Sequence, residues 1–148
     1  GIYEVVVDNS NFKNPSYYIN TNQSFDFAND VVTASYGTAT PKNLDDTTDP
    51  DTGDVTHGLK WNHNQVIINQ ASGLLQPNDW YVVRETEAGT AIPADWTTFR
   101  TDVRSTAADM QSKINACTTV DELAALYEYN DATPPVRPLG EWPTPPSS

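Results

Sequence analysis

The sequence is poor in basic side chains, with eight Lys and Arg against twenty Asp and Glu, and its formal net charge is −12 over 148 residues. Proteins bind duplex nucleic acid, a polyanion, through clustered Lys and Arg that displace its counterions. Because the eight basic residues are scattered along the chain, we expect no direct binding of nucleic acid. The excess negative charge favours solubility at high copy number.

Cysteine and long apolar runs are also scarce. The single cysteine, Cys117, cannot form an intramolecular disulfide, and we interpret it as a small buried hydrophobe. No stretch approaches the roughly 20 apolar residues that a membrane span needs. No basic start precedes an apolar run, as it does in a signal peptide. We therefore expect no membrane attachment. The length and composition predict a modest, aromatic-rich core in one domain or two small lobes.

The first third of the chain alternates short apolar runs with turn-forming residues. The runs predict strands at 2–7, 17–19, 24–27 and 31–36. In the first strand, Tyr3, Val5 and Val7 share one side, and Ile2, Glu4 and Val6 share the other. Residues 37–58 follow with little apolar content, and residues 43–54 contain five aspartates. We predict a β-rich part over 1–60 whose acidic segment, 37–58, is a long surface loop or an arm reaching a neighbour.

Two elements are predicted next. Apolar residues at three- and four-residue spacing predict a helix over 61–75, with Asn62 or Asn64 as its N-cap and Pro77-Asn78 as its stop. The alternation from Trp80 to Glu85 predicts a strand that Gly89 ends or bends.

The clearest helix is predicted over 93–117. Its apolar residues form one narrow stripe that packs against a core: Trp96, Phe99, Val103, Ala107, Met110, Ile114 and Cys117. Thr119 and Glu122 predict a capping box that starts a second helix, so 61–132 should contain a helix, a strand and a helical hairpin. The predicted fold class is α+β.

The last segment, 133–148, contains six prolines and should be extended, because proline denies it helix and sheet hydrogen bonds. Val136, Leu139 and Trp142 are its anchors. We expect this tail to dock into a groove on a neighbouring subunit, or, alternatively, to fold back on its own helices.

The sequence contains no complete catalytic or metal-binding motif. Asp49-Pro-Asp51-Thr-Gly53-Asp54 has some features of a calcium loop, but Gly53 comes one position early and position 59 is Leu instead of Glu. His57 and His63 lack a nearby Cys or third His for zinc. There is no G-x-S-x-G, H-E-x-x-H or P-loop motif. We predict a non-enzymatic protein without a cofactor or metal.

Arginines and aromatics remain as candidate binding residues. Arg100 and Arg104 should flank the apolar stripe and pair with Glu85, Glu87 or Asp102, although a functional cluster with Arg84 is an alternative. Eight aromatic residues can serve as core, as a protein interface or as a sugar-stacking platform: Tyr17, Tyr18, Phe25, Phe27, Trp61, Trp80, Trp96 and Trp142.

The segment from Leu74 to Arg104 resembles a specific family. A leucine, an acidic turn, Asp-Trp, an apolar pair, Arg, an acidic residue, Gly, an apolar-Pro pair, an aromatic-Arg pair and a second Arg follow one another. The matching positions are Leu75, Asp79, Trp80, Val82, Val83, Arg84, Glu87, Gly89, Ile92, Pro93, Phe99, Arg100 and Arg104. This pattern, over roughly a fifth of the chain, is similar to the C-terminal region of the tail-fibre assembly family of tailed bacteriophages and to small virion proteins that carry the same segment.

The resemblance implies a phage origin, and we expect a structural component of a phage virion, in the tail, fibre, neck or capsid decoration, made in the host bacterial cytoplasm. It would bind other virion proteins and form a homo-oligomer or be present in many copies. The alternatives are a tail-fibre assembly chaperone and a tail protein that binds host-surface carbohydrate. The residues expected to bind a partner are Trp142, Leu139, Arg137, Trp80, Arg84 and Arg100.

Overall fold

The computed structural model describes residues 2–21 and 23–147, and the chain divides into two compact units, residues 1–44 and 45–148. The first unit contains small sheets and the second is mainly helical, which confirms the predicted α+β class. The predicted boundary at residue 60 lies later in the chain than this division. Among the described residues, no helix combines the length and apolar character that crossing a membrane requires.

A three-stranded sheet is the main element of the first unit. Its central strand is flanked by a parallel strand on one side and an antiparallel strand on the other, in the order β1 (Glu4–Asp8), β4 (Val31–Tyr36), β3 (Gln23–Ala28). A separate two-residue pairing joins β2 (Tyr18–Ile19) to β5 (Thr40–Pro41). The four strands predicted in the first third are therefore present, close to their predicted positions.

A tight turn sets the register between β3 and β4. Ala28 pairs with Val31, and the two residues between them, Asn29 and Asp30, have φ of 52° and 60°. Positive φ at both central positions is the mark of the type I′ turn, whose twist matches that of the flanking strands. Asn and Asp tolerate this left-handed conformation better than other residues with a Cβ atom, so the Asn-Asp pair favours a hairpin here.

The acidic segment is not the structureless loop that the sequence predicted. Residues 47–56 form a β-hairpin in which β6 (Thr47–Thr48) pairs with β7 (Val55–Thr56). At its tip, Asp49 Oδ1 accepts hydrogen bonds from the backbone N–H groups of Asp51 (2.8 Å) and Thr52 (3.1 Å). Asp49, one of the aspartates that suggested a solvated arm, thus stabilises the turn with its own side chain, as Asx side chains do.

Four helices make up most of the second unit: α1 (Leu59–Leu75), α2 (Trp80–Ala88), α3 (Ala94–Ala116) and α4 (Val120–Ala125). The helix predicted at 61–75 is confirmed, but its predicted N-cap is wrong. The cap is Gly58, whose N–H donates to Asp46 Oδ1 at 2.8 Å. A short 3-10 turn, Gln76–Asn78, follows α1 at the predicted stop.

The strand predicted over Trp80–Glu85 is wrong, because these residues form α2. In the described part of the second unit, the strands β6 and β7 pair with each other, so a strand here would leave its backbone groups unpaired, whereas a helix satisfies them internally. Gly89 ends α2 in the left-handed conformation, with φ 65°, and its N–H donates to Glu85 O. That is the usual glycine stop of a helix.

The predicted stripe on α3 is confirmed as core. Phe99, Val103, Met110 and Ile114 are buried, as is Cys117 just beyond the helix, and α3 packs mainly against α1. The chain then turns at residues 117–119 into α4. Its predicted capping box is present: Thr119 Oγ1 accepts from Glu122 N at 3.2 Å, and Glu122 Oε2 accepts from Thr119 N at 3.3 Å.

The proline-rich tail has no helix or strand among its described residues, 133–147, as predicted. Its anchors, however, contact the tail's own unit. Leu139 is buried, and its N–H donates to Leu126 O at 2.9 Å. Trp142 Nε1 donates to Gln70 Oε1 on α1 at 3.0 Å. The alternative in which the tail folds back on its own helices is therefore the one that the structure shows.

Candidate protein-binding surface on α2

Helix α2 contributes no buried residue, although it is rich in apolar side chains. Trp80 and Val83 are 51% and 52% exposed, and Val82 is also exposed. Trp80, Val83, Arg84 and Glu87 are spaced three, four and seven positions along the helix, so they lie on one face. We call the side chains of Trp80, Val83 and Arg84 the α2 surface.

A chain of aromatic contacts connects the α2 surface to the core. Trp80 stacks on Tyr81 with ring centroids 3.9 Å apart, and Tyr81 lies 5.6 Å from Trp96. Trp96 in turn meets the buried Phe99 edge to face at 5.7 Å. Because each ring rests on the next, Trp80 is held in place although half of it faces solvent. A rigid, exposed aromatic of this kind loses little entropy when a partner covers it.

Arg84 adds a cationic group to the same surface. Its guanidinium carbon lies 4.9 Å from the Trp80 ring centre and 5.1 Å from that of Tyr81, within the range of cation–π attraction. Its Nε is buried and has no hydrogen-bond partner among the described residues. Buried polar atoms are nearly always paired, so this Nε is an exception inside the folded unit.

Arg100 is positioned differently from the prediction, which paired it with Glu85, Glu87 or Asp102. It is buried; its Nη1 donates to Asn78 Oδ1 and to Leu75 O, and its Nη2 donates to Asp79 Oδ1 at 2.9 Å. It therefore fixes the turn between α1 and α2 from within. Arg104 Nη1 donates to Arg100 O at 3.3 Å. Arg100 supports the start of the α2 surface but does not offer its guanidinium to a partner.

The three predicted binding residues of the tail lie elsewhere in the unit. Arg137 Nε donates to Gly140 O and pairs with Glu141, and its guanidinium lies 5.5 Å from the ring centre of Tyr129. It borders an open groove lined by Ala125, Glu128, Tyr129, Asn130, Val136, Arg137 and Pro138. Leu139 is buried, so its side chain cannot also contact a neighbour.

The candidate calcium and zinc ligands have structural partners. Asp46 Oδ2 contacts His57 Nδ1 at 2.8 Å, and the His57 ring stacks on Trp61 at 3.8 Å. The N–H of Gly58 and the His57 side chain lower the pKa of Asp46 below its ordinary value. Among the described residues, no three His, Cys, Asp or Glu side chains are grouped closely enough to hold a metal ion.

His63 is a titratable group inside the helical unit. Its Nδ1 lies 2.6 Å from the hydroxyl of Tyr127, and burial lowers the pKa of His63 below its ordinary value of 6.5. The folded state therefore prefers neutral His63, whereas the unfolded chain takes up a proton as the pH falls through 6.5. The stability that His63 contributes is present above pH 6.5 and is lost as the pH falls toward its folded pKa.

We predict that His63→Gln unfolds with a weaker pH dependence than the wild type between about pH 7.5 and 5.5, where unperturbed carboxylates change charge little. Urea unfolding at several pH values measures this dependence. His57→Gln is the matched control, because it makes the same substitution at the other histidine, whose side chain is 41% exposed. If the free energy of unfolding changed equally with pH in the wild type and in His63→Gln, the prediction would be contradicted.

Sequence reasoning identified Trp80 and Arg84 but missed Tyr81, which joins the α2 surface to Trp96. The signal was present in the spacing of Trp80, Val83, Arg84 and Glu87, which is helical. The alternation of side chains over residues 80–85 suggested a strand instead, so this helical spacing was overlooked. The chain matches no protein-family model, no curated protein and no solved structure.

Proposed function

We propose that this protein is a non-enzymatic structural component of a tailed-phage particle that acts through protein–protein contacts. The segment from Leu74 to Arg104, which resembles the tail-fibre assembly family, supports the phage origin. The observation that carries the binding role is the α2 surface, where Trp80 is exposed and held by an aromatic stack beside a cation. Trp and Arg are the residues most enriched where interface energy concentrates.

The α2 surface fits an apolar pocket with an acidic rim on another virion protein. Trp80 and Val83 supply the apolar contact, and the Arg84 guanidinium beside them adds a positive charge that suits a carboxylate on the partner. The rings behind Trp80 reduce the entropy lost on binding. In this proposal, the segment from Leu74 to Arg104 is the part of the chain that binds another protein of the particle.

The direct test is quantitative mass spectrometry of purified particles. A structural component persists at a fixed, stoichiometric copy number after density-gradient purification. The alternative that the resemblance itself favours is a chaperone for tail-fibre assembly, which would act without remaining in the particle. Particles that carry normal fibres but none of this protein would overturn the structural role and support the chaperone.

We predict that Trp80→Ala lowers incorporation into particles while the protein stays folded. Truncating a central interface aromatic typically costs about 2 kcal/mol or more, which corresponds to roughly a thirtyfold weaker affinity. Trp61→Ala is the matched control, because Trp61 is 40% exposed on α1 outside the α2 surface. Incorporation of the Trp80 and Trp61 variants at equal levels would contradict the α2 surface as the binding site.

A further inference from the structure

One face of the β1–β4–β3 sheet is apolar and largely uncovered. The strand register places Val5, Val32 and Phe27 in one row and Val7, Ala34 and Phe25 in the next. Tyr3 joins them, since its ring meets that of Phe27 at 4.9 Å. Tyr3, Val5, Val7, Phe25 and Phe27 are each between 50% and 68% exposed. We call this surface the apolar face.

The opposite side of the same sheet is polar. Its rows contain Glu4 with Val31 and Ala28, Val6 with Thr33 and Asp26, and Asp8 with Ser35 and Ser24. Strands that alternate in this way are built to cover one side and solvate the other. In the first unit, the one apolar side chain that is fully buried among the described residues is Ala34. A sheet is stabilised when its apolar side packs against another layer, so the apolar face is suited to an occupant.

We propose that the occupant is the apolar face of a second copy of this chain, so that two sheets pack face to face around a two-fold axis. No charged side chain lies in the apolar rows, so two identical copies can meet without burying a charge. Facing sheets of this kind interdigitate their inner side chains about 10 Å apart. A symmetric contact presents the same patch from both partners, and the apolar face satisfies that condition.

The distribution of charge favours self-association at this unit. Residues 1–44 contain four of the twenty acidic residues and two of the eight basic ones, a net −2, which leaves −10 for residues 45–148. Two copies with net charge −12 repel each other. A contact made through the nearly neutral first unit therefore brings few like charges directly against each other.

The exposed area is also of the right order. Three half-exposed aromatic rings and two valines leave on the order of 500 Å² uncovered on each copy. A standard interface buries about 800 Å² per partner. Phe12 and Tyr36 extend the available apolar area, because their rings pack at 5.2 Å and Phe12 is itself exposed.

The proposal deepens the proposed function by naming one surface for self-association, and it can be tested on the purified full chain without particles. We expect sedimentation velocity to show a dimer for the wild type at micromolar concentration. Val5→Asp should give monomers. Val6→Asp is the matched control, because Val6 is 45% exposed on the neighbouring position of β1 but points to the polar side. It should dimerise like the wild type.

Comparing the two Asp variants separates face-to-face packing from damage to β1 and from pairing through the edge of β1. Damage or edge pairing would affect both variants alike, whereas an interface on the apolar face is sensitive to Val5→Asp alone.

A milder variant, Phe27→Ala, introduces no charge and should raise the dimer Kd at least about tenfold. A wild type that is monomeric at about 100 µM, well above the Kd of ordinary stable dimers, or Asp variants that associate equally, would overturn the proposal. Neither result would bear on whether particles contain the protein.

Discussion

Replacing the core residues of α3 should unfold the helical unit more readily than any surface change. We expect Phe99→Ala to lower the free energy of unfolding by about 3–5 kcal/mol, the typical cost of truncating a buried Phe. Phe99 is buried and also supports the Trp96 ring, so the loss combines transfer free energy with a cavity. Val103→Asp should cost still more, because Val103 is fully buried and an unpaired carboxylate there is desolvated.

Urea denaturation followed by far-UV circular dichroism measures both effects. Ser105→Asp is the matched control for Val103→Asp, because it places the same carboxylate two positions further along α3 on an exposed side chain. The control should unfold within about 0.5 kcal/mol of the wild type, as surface substitutions usually do. Equal destabilisation by the two Asp variants would show that helix formation, and not burial of the stripe, controls stability here.

The tail should be part of the folded unit, and we expect Leu139→Ala to destabilise it by about 2–5 kcal/mol. Leu139 is buried, and the backbone around it carries two contacts: its N–H donates to Leu126 O, and its carbonyl accepts from Lys113 Nζ at 3.3 Å. Deletion of residues 133–148 removes all of these together with the Trp142–Gln70 hydrogen bond. The deletion should therefore lower the melting temperature.

If the tail served solely to bind a neighbouring subunit, its deletion would leave the melting temperature unchanged. Val136→Ala is the matched control for Leu139→Ala, because Val136 is an apolar tail residue that is 47% exposed. Thermal melts of the three variants, monitored by far-UV circular dichroism, distinguish the two roles. A deletion variant that melts like the wild type would show that the contacts of Leu139 contribute nothing to stability.

Much of the helical unit could be predicted because its signals are local. The stripe of α3 follows from spacing alone, since side chains three and four positions apart share a helix face. The capping box of α4 depends on Thr119 and Glu122, which contact each other across three residues. The N-terminal strands were found for the same reason, because alternation over a few residues defines which side of a strand is apolar.

Assignments that depended on distant partners were the ones that failed. Residues 80–85 have the alternation of a strand, but a strand needs a neighbour to pair with, and the sequence does not show whether one is present. Asn62 and Asn64 resemble N-caps, yet α1 begins at Leu59 with Gly58 as its cap. The Gly58 N–H donates to Asp46, twelve residues earlier in the chain. The acidic hairpin was missed because its strands have two residues each, which is too short for apolar alternation to show.

For the candidate sites, the sequence by itself determined which side chains are available. These are Trp80 and Arg84, four positions apart, and the alternating apolar residues of β1 and β3. Only the tertiary structure decided their roles. It buried Arg100 against Asn78 and buried Leu139 near Leu126, and it left Trp80 and the apolar face exposed. The reason is physical: burial is a property of the surroundings that a residue meets in space, and hydrophobicity along the chain does not specify them.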